Sequence, residues 1–256
     1  MKEIIKLIIL GIVQGLTEFL PVSSSGHLIL LQEMLGITEN TLFTTIVLHL
    51  GTLLAVVIYY FKDLLLFAKP EGRTTLIWLI VATLPACVVG LIFNDLFESL
   101  TSSKVLTFTF LITTIMLFVT QKLAKNSVKK PFKTHSALVM GLMQCVAITP
   151  GISRSGSTIF GGVLVKNDPN YVAKFSFFMS IPIILGSLIL ELFKVELISI
   201  NWLALSFGFV ASFISGVVAI KLTIKAIGKC NFMWFGIYLM ALSLLCFVQN
   251  FVYTIW

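Results

Sequence analysis

Six stretches of this chain are long and apolar enough to cross a bilayer, and they constrain its fold more than any other feature. They run from Leu42 to Phe61, Thr74 to Phe93, Val105 to Thr120, Phe175 to Phe193, Trp202 to Ile220 and Phe232 to Phe251. A helix crossing the hydrocarbon layer needs about 20 mostly apolar residues, because its backbone polar groups must be satisfied within the segment. Only 11% of the 256 residues are charged, against roughly 25% in a soluble domain, so a water-soluble globule is excluded. The net charge of +7 rests largely on lysines in short connections between apolar runs. That pattern orients membrane proteins, and no nucleic-acid partner is expected. Cys87, Cys145, Cys230 and Cys246 form no Cys-x-x-Cys pair, so neither a disulfide framework nor a zinc site is indicated. The first apolar run breaks at Leu20-Pro21 into a Ser/Gly cluster where a signal peptide would carry a cleavage site, and the start therefore reads as mature protein.

Two regions depart from the single-span pattern. Ile4 to Gly36 and Ser136 to Val165 each consist of two shorter apolar pieces around a Pro, Ser and Gly cluster, which predicts a helix pair that enters the bilayer and turns back. Letting each pair return to its own side and alternating the six spans places thirteen Lys/Arg on one face. Lys2, Lys6, Lys104 and Lys194 fall on the other, and Arg154 lies within the second pair. The thirteen-charge face is then cytoplasmic, with both termini and the mouth of the first pair outside.

Sliding the sequence by 130 residues aligns Gly11 with Gly141, Gln14 with Gln144, Ser23 with Ser153, Ser25 with Ser155 and Gly26 with Gly156. Each half then holds one broken pair and three crossings, an odd number, so the second half must be inverted. The expected architecture is an all-α polytopic membrane protein, one integral membrane domain over 1–256, with six transmembrane helices and two re-entrant helical hairpins. The first repeat covers 1–121 with its hairpin at 4–36, and the second 122–256 with its hairpin at 136–165. Turns approaching from opposite faces place non-helical backbone where it must line a polar cavity, the expected site.

The first pair holds Gln14 and Glu18 on one helix face, followed by Ser24 and His27 beyond Pro21. A carboxylate at membrane depth costs about 2.5–3.5 kcal/mol, so Glu18 needs a partner such as a cation. The second pair holds Pro150-Gly151-Ile152-Ser153-Arg154-Ser155-Gly156-Ser157-Thr158, an anion-binding pattern. A guanidinium forks onto phosphate oxygens, glycine allows close backbone approach, and a helix start offers free N–H groups. A carboxylate, a hydroxyl nucleophile, an imidazole and an arginine clamp together suit phosphoryl chemistry. Neither a Gly-x-x-x-x-Gly-Lys-Ser/Thr loop nor a His-Glu-x-x-His helix is present. His49, inside the first span, reads as a packed helix contact more than a catalytic group, and His135 as solvated.

Two motifs resemble the undecaprenyl-diphosphate phosphatase family of the bacitracin-resistance type, over essentially the whole chain. One is the Glu/Gln-x-x-x-Glu element, Gln14 to Glu18, running into Phe19 to His27; the other is Pro-Gly-x-Ser-Arg-Ser-x-x-Thr, matched from Pro150 to Thr158. The resemblance implies hydrolysis of undecaprenyl diphosphate to the monophosphate lipid carrier of cell-wall synthesis, with a divalent cation, Mg2+ or Ca2+. It implies that Glu18 and Gln14 hold the cation and that Arg154 binds phosphate and stabilises charge in transfer. Ser24 is then the nucleophile, with His27 activating it or protonating the leaving group. Ser23, Ser25, Gly26, Gly151, Ser153, Ser155 and Thr158 complete the substrate site. The implied partners are the polyprenyl diphosphate, membrane lipid and, through the shared substrate, a bacitracin-sensitive pathway. The oligomeric state stays open between monomer and homodimer. The implied location is the bacterial cytoplasmic membrane, multi-pass, with the site opening to the extracytoplasmic side. Covalent phosphoserine and direct water attack are both open, and Gln14 in place of a second acidic residue implies weaker metal affinity. A lipid-carrier flippase or ion-coupled transporter is the alternative, since inverted repeats also build alternating-access machines. An acid-phosphatase-like lipid phosphatase shares Ser25-Gly26-His27 but needs a His after Ser153-Arg154, and none follows.

Overall fold

The computed structural model describes residues 1–126, 129–192 and 200–252. Its helices are α1 (Lys2–Phe19), α2 (Ser24–Met34), α3 (Thr41–Tyr59), α4 (Phe61–Leu66), α5 (Arg73–Ile92), α6 (Asn94–Ser99), α7 (Ser103–Asn126), α8 (Thr134–Val146), α9 (Arg154–Leu164), α10 (Pro169–Leu192), α11 (Trp202–Gly228) and α12 (Met233–Phe247). Among the described residues no strand occurs, and one isolated bridge joins Lys130 to Asn167. Among the described residues six helices are long and apolar enough to cross a membrane: α3, α5, α7, α10, α11 and α12 with its π-helical continuation Val248–Val252. These are the six expected spans, and the molecule is an all-α multi-pass membrane protein. The expected fourth-span end at Phe193, and Lys194, lie outside the described residues.

Helix ends differ from the apolar boundaries in an instructive way. The third span reads to Thr120, yet α7 continues to Asn126; the fifth reads to Ile220, yet α11 continues to Gly228. Lysine marks where lipid ends, but it is a good helix former and its long stem snorkels, so the helix runs on into water. In the extension of α7, Gln121 Oε1 accepts the N–H groups of Phe232 at 2.7 Å and Met233 at 3.1 Å. These are donors at the start of α12 that lack intrahelical partners.

The burial pattern is that of a protein in oil. α5 turns Ile77, Ile80, Leu84, Val88 and Leu91 outward, all exposed and at helical spacing, while Leu79, Ala82, Thr83 and Ala86 face inward. Lipid is as apolar as leucine, so helices associate through close backbone approach between small residues and through hydrogen bonds. The α1–α11 contact shows both. A Cβ placed on Gly11 would stand 2.2 Å from the Gly208 carbonyl oxygen, and one on Gly15 would stand 2.0 Å from Ser215 Oγ. Ser215 Oγ donates to the Gly11 carbonyl at 3.3 Å, and Ser212 Oγ to the Leu48 carbonyl of α3 at 2.7 Å. In the second half, α8 packs on α5 in the same manner, with the space beside Gly141 filled by the Ala82 carbonyl at 2.4 Å.

The two expected hairpins are α1–α2 and α8–α9. The helices α2, α8 and α9 have 11, 13 and 11 residues, or roughly 16–20 Å, short of a hydrocarbon core of about 30 Å. Their lengths are consistent with re-entrant pairs. At the base of the second hairpin, Asp168 caps α10, accepting the N–H groups of Asn170 at 2.9 Å and Tyr171 at 3.3 Å. Pro169 occupies the first helical position, where a missing N–H costs nothing. Burial alone would raise the Asp168 carboxyl, but the Lys129 ammonium and these two N–H groups outweigh it and hold its pKa below the usual value.

Candidate active site

The site forms where the hairpin turns meet, and it centres on Glu18. On the last turns of α1, Gln14 Nε2 donates to Glu18 Oε2 at 3.0 Å, across the four-residue spacing that puts both on one face. The chain then reverses through Leu20 to Ser23. Ser23 adopts φ 69° and ψ 93°, a conformation that strains a non-glycine residue by about 1–3 kcal/mol. Its own side chain holds it there, Oγ accepting the Gly26 N–H at 3.3 Å as the cap of α2. The reversal aims Ser24, the first residue of α2, back toward α1, and its Oγ donates to Glu18 Oε2 at 2.6 Å.

The second hairpin repeats the device. Ser153 caps α9 through the Gly156 N–H at 3.1 Å, and the first helical residue is Arg154. Its Nη2 donates to Glu18 Oε1 at 2.6 Å and its Nη1 to the Ser176 carbonyl of α10 at 3.2 Å. Ser24 and Arg154 are thus equivalent positions under the 130-residue offset, and both reach the same carboxylate. The turns also bond directly: Ser155 Oγ donates to the Leu20 carbonyl at 3.0 Å, and the Gly151 N–H donates to Ser25 Oγ at 3.3 Å. Glycine is required at 151, where φ is 87° and a Cβ would stand 2.1 Å from Thr109 Oγ1. At Gly26 a Cβ would meet the Phe110 ring at 2.5 Å.

Glu18 is 7% exposed and Gln14 is fully buried. A buried charge left unpaired costs about 3–5 kcal/mol, so the Arg154 bond is what lets Glu18 stay ionised. The partner expected for Glu18 is therefore the guanidinium of the opposite hairpin. One acceptor in the cluster is unused: Gln14 Oε1 is buried and has no partner. Together with the carboxylate it makes an oxygen donor set of the kind hard divalent cations take.

The structure brings Gln14, Glu18, Ser24 and Arg154 together and assigns other work to several residues expected at the phosphate. Ser23 and Ser153 cap helices, and Ser25 and Ser155 join the turns. Thr158 Oγ1, fully buried, donates to the Arg154 carbonyl at 2.9 Å and bonds Ser176 Oγ at 2.7 Å, tying α9 to α10. His27 lies with Nδ1 2.6 Å from the Ser23 carbonyl and Nε2 2.6 Å from the Tyr238 hydroxyl, its ring stacked on that tyrosine. Both nitrogens are engaged away from Ser24. The imidazole that enters the cluster is that of His49, with Nε2 3.6 Å from Glu18 Oε2. Its one sequence signal was an ionisable group within a span; Tyr238 and Ser176 had none.

The chain matches the family described as bacitracin resistance protein BacA over residues 7–245. It is 40% identical to an undecaprenyl-diphosphatase of Halothermothrix orenii, over 92% of this chain and 94% of that protein. It is also 40% identical to an undecaprenyl-diphosphatase of Christiangramia forsetii, covering 94% and 96% of the two chains. With undecaprenyl-diphosphatase 1 of Clostridioides difficile the identity is 38%, covering 98% and 97%. With both motifs intact at the junction of its hairpins, the chain belongs to the BacA family.

Proposed function

We propose that this protein is an undecaprenyl-diphosphatase, hydrolysing undecaprenyl diphosphate to undecaprenyl phosphate and inorganic phosphate. The observation that carries the reading is the junction at Glu18, where a serine of one hairpin and an arginine of the other each approach one carboxylate at 2.6 Å. Ser24 is the nucleophile and Glu18 its base. As Oγ bonds to the terminal phosphorus, its proton passes along the existing hydrogen bond to Oε2. The bridging P–O bond breaks, and the oxygen leaves with the lipid monophosphate. Water then releases phosphate from Ser24, with Glu18 returning the proton. Arg154 presents its fork to the equatorial oxygens, where charge gathers. His27, clamped between Ser23 and Tyr238, fixes the start of α2 and hence the aim of Ser24.

A divalent cation, Mg2+ or Ca2+ in class, fits the Glu18 carboxylate and the unpartnered Gln14 Oε1. When bound it supplies charge neutralisation for the diphosphate. The chain is read as two inverted repeats, 1–121 and 122–256; the exchange of partners, α1 on α11 and α8 on α5, supports this. The protein resides in the bacterial cytoplasmic membrane with the first hairpin opening outward. Glu18, Ser24 and Arg154 belong to one chain, so a homodimer would add nothing to this constellation. The relatives' names speak for hydrolysis and lend no support to a transporter.

The test is inorganic phosphate release from undecaprenyl diphosphate by purified protein in detergent, where there is no membrane to transport across. Release should stop on adding a chelator and in Arg154→Ala. Lipid movement across vesicles without release would overturn the reading.

A further inference from the structure

Ser176 lies on α10, outside both motifs, and holds Arg154 at two places. Its carbonyl accepts from Arg154 Nη1 at 3.2 Å, while Glu18 Oε1 accepts from Nη2 at 2.6 Å. A guanidinium is planar and rigid, so an anchor on each terminal nitrogen fixes its plane. The Nε hydrogen and the second hydrogen of each terminal nitrogen remain for a ligand. The Ser176 side chain holds the other end of the same residue. Thr158 Oγ1 donates to the Arg154 carbonyl at 2.9 Å, one turn earlier on α9, and stands 2.7 Å from Ser176 Oγ. A carbonyl only accepts, so the one hydroxyl hydrogen of Thr158 is spent there, and Ser176 Oγ donates to Thr158. Donation therefore runs from Ser176 through Thr158 to the Arg154 backbone, and from the Arg154 side chain back to Ser176. Ser176 and Thr158 are both fully buried, so bulk water cannot replace a link that is lost. Phe177, the next residue of α10, packs edge-on against Phe19 with ring centroids 5.5 Å apart. One turn of α10 thus abuts the residue after Glu18 and both ends of Arg154.

We infer that Ser176 is a positioning residue for the phosphate clamp: its hydroxyl sets the register of α10 on α9, and that register sets where its carbonyl holds the guanidinium. The inference rests on the hydrolytic reading proposed above. Ser176 touches no reacting atom. Removing its hydroxyl leaves the carbonyl in place and loosens only the aim of Arg154. The deficit then falls on the transition state, where preorganised donors count most, rather than on ground-state binding.

The test is steady-state phosphate release from undecaprenyl diphosphate by the purified full-length protein in detergent. Ser176→Ala should lower kcat about tenfold with KM within about twofold, and Ser176→Thr, which keeps a hydroxyl, should restore most of the rate. In an Arg154→Lys background, where no fork is left to aim, Ser176→Ala should lower the remaining rate by less than about twofold. A merely structural serine would lower both rates alike. The inference is overturned by unchanged kcat in Ser176→Ala, by a rise in KM with kcat intact, by an equal loss in both backgrounds, or by a folded but unrescued Ser176→Thr. Thr158→Val breaks the same link from α9 and should show the same kinetic pattern, which decides the matter if Ser176→Ala does not fold. Wild-type protein that releases no phosphate removes both readings, whereas release by the wild type with normal turnover in Ser176→Ala removes only the positioning role.

Discussion

Arg154 divides its guanidinium between Glu18 on α1 and the Ser176 carbonyl on α10, and that division is what a lysine cannot reproduce. An ammonium is a point charge on a flexible stem; it could replace one of these bonds but not hold the planar fork that meets a phosphate. Arg154→Lys should therefore keep the charge and lose about 10²-fold or more in kcat, read as phosphate release from undecaprenyl diphosphate. Near-normal turnover would remove the clamp role. His27 makes a second case at this scale. If it positions α2 through Tyr238, then Tyr238→Phe, which removes only the hydroxyl at 2.6 Å, should lower kcat by about tenfold, the cost of roughly one neutral hydrogen bond, with KM little changed. Unchanged kcat in Tyr238→Phe together with inactivity of His27→Ala would return His27 to direct chemistry. The residue types at the site were legible because a carboxylate and an arginine at membrane depth are too costly to be idle. The use of each hydroxyl was not. Serine before a helix start is the same signal whether it caps the helix, as Ser23 and Ser153 do, or binds a ligand, and only coordinates separate Ser24 from its neighbours.

At the scale of elements, the site is only as rigid as the contacts that hold α1 and α9 in register. For α1 the contact is α11, met along Gly11 and Gly15 on one side and Gly208, Ser212 and Gly216 on the other. The spacing of four was visible in the sequence, but spacing names a face and not its partner, and no local rule ties residue 11 to residue 208. A single methyl tests this packing. Gly11→Ala should lower stability by about 1–3 kcal/mol, seen as a fall in Tm in detergent, because its Cβ would sit 2.2 Å from a backbone oxygen. Gly186→Ala, where a Cβ meets nothing within 4 Å, is the control and should leave Tm unchanged or slightly raised, alanine being the better helix former. Equal behaviour of the two variants would refute close packing at α1–α11. The spans themselves were legible from apolar length, as Leu42 to Phe61 against Thr41–Tyr59 shows. Their ends were not, because lysines in α7 and α11 mark the membrane edge without ending the helix.

For the whole molecule, the disposition of lysines is what the proposed orientation of the site rests on. With the six spans assigned alternately, Lys133, at the start of α8, falls on the side that gathers thirteen basic residues, and Lys104, at the start of α7, on the sparse side. Both are exposed. A basic excess of this kind is expected to hold its loops in the cytoplasm during insertion; on the proposed orientation the first hairpin opens outward and the second inward, with the Glu18–Arg154 pair between them. Replacing the four native cysteines and placing one at either position makes the orientation readable in intact cells. Lys104→Cys should react with a membrane-impermeant maleimide added outside, and Lys133→Cys only after the membrane is opened. The reverse labelling would invert the molecule, and the mouth beside Ser24 would then face the cytoplasm. A protein in that orientation would draw diphosphate from the inner leaflet, and its hydrolysis would serve newly made lipid rather than carrier released outside. Because phosphate release in detergent is blind to this difference, the labelling result bears on where the enzyme works and leaves the chemistry at Glu18 as it stands.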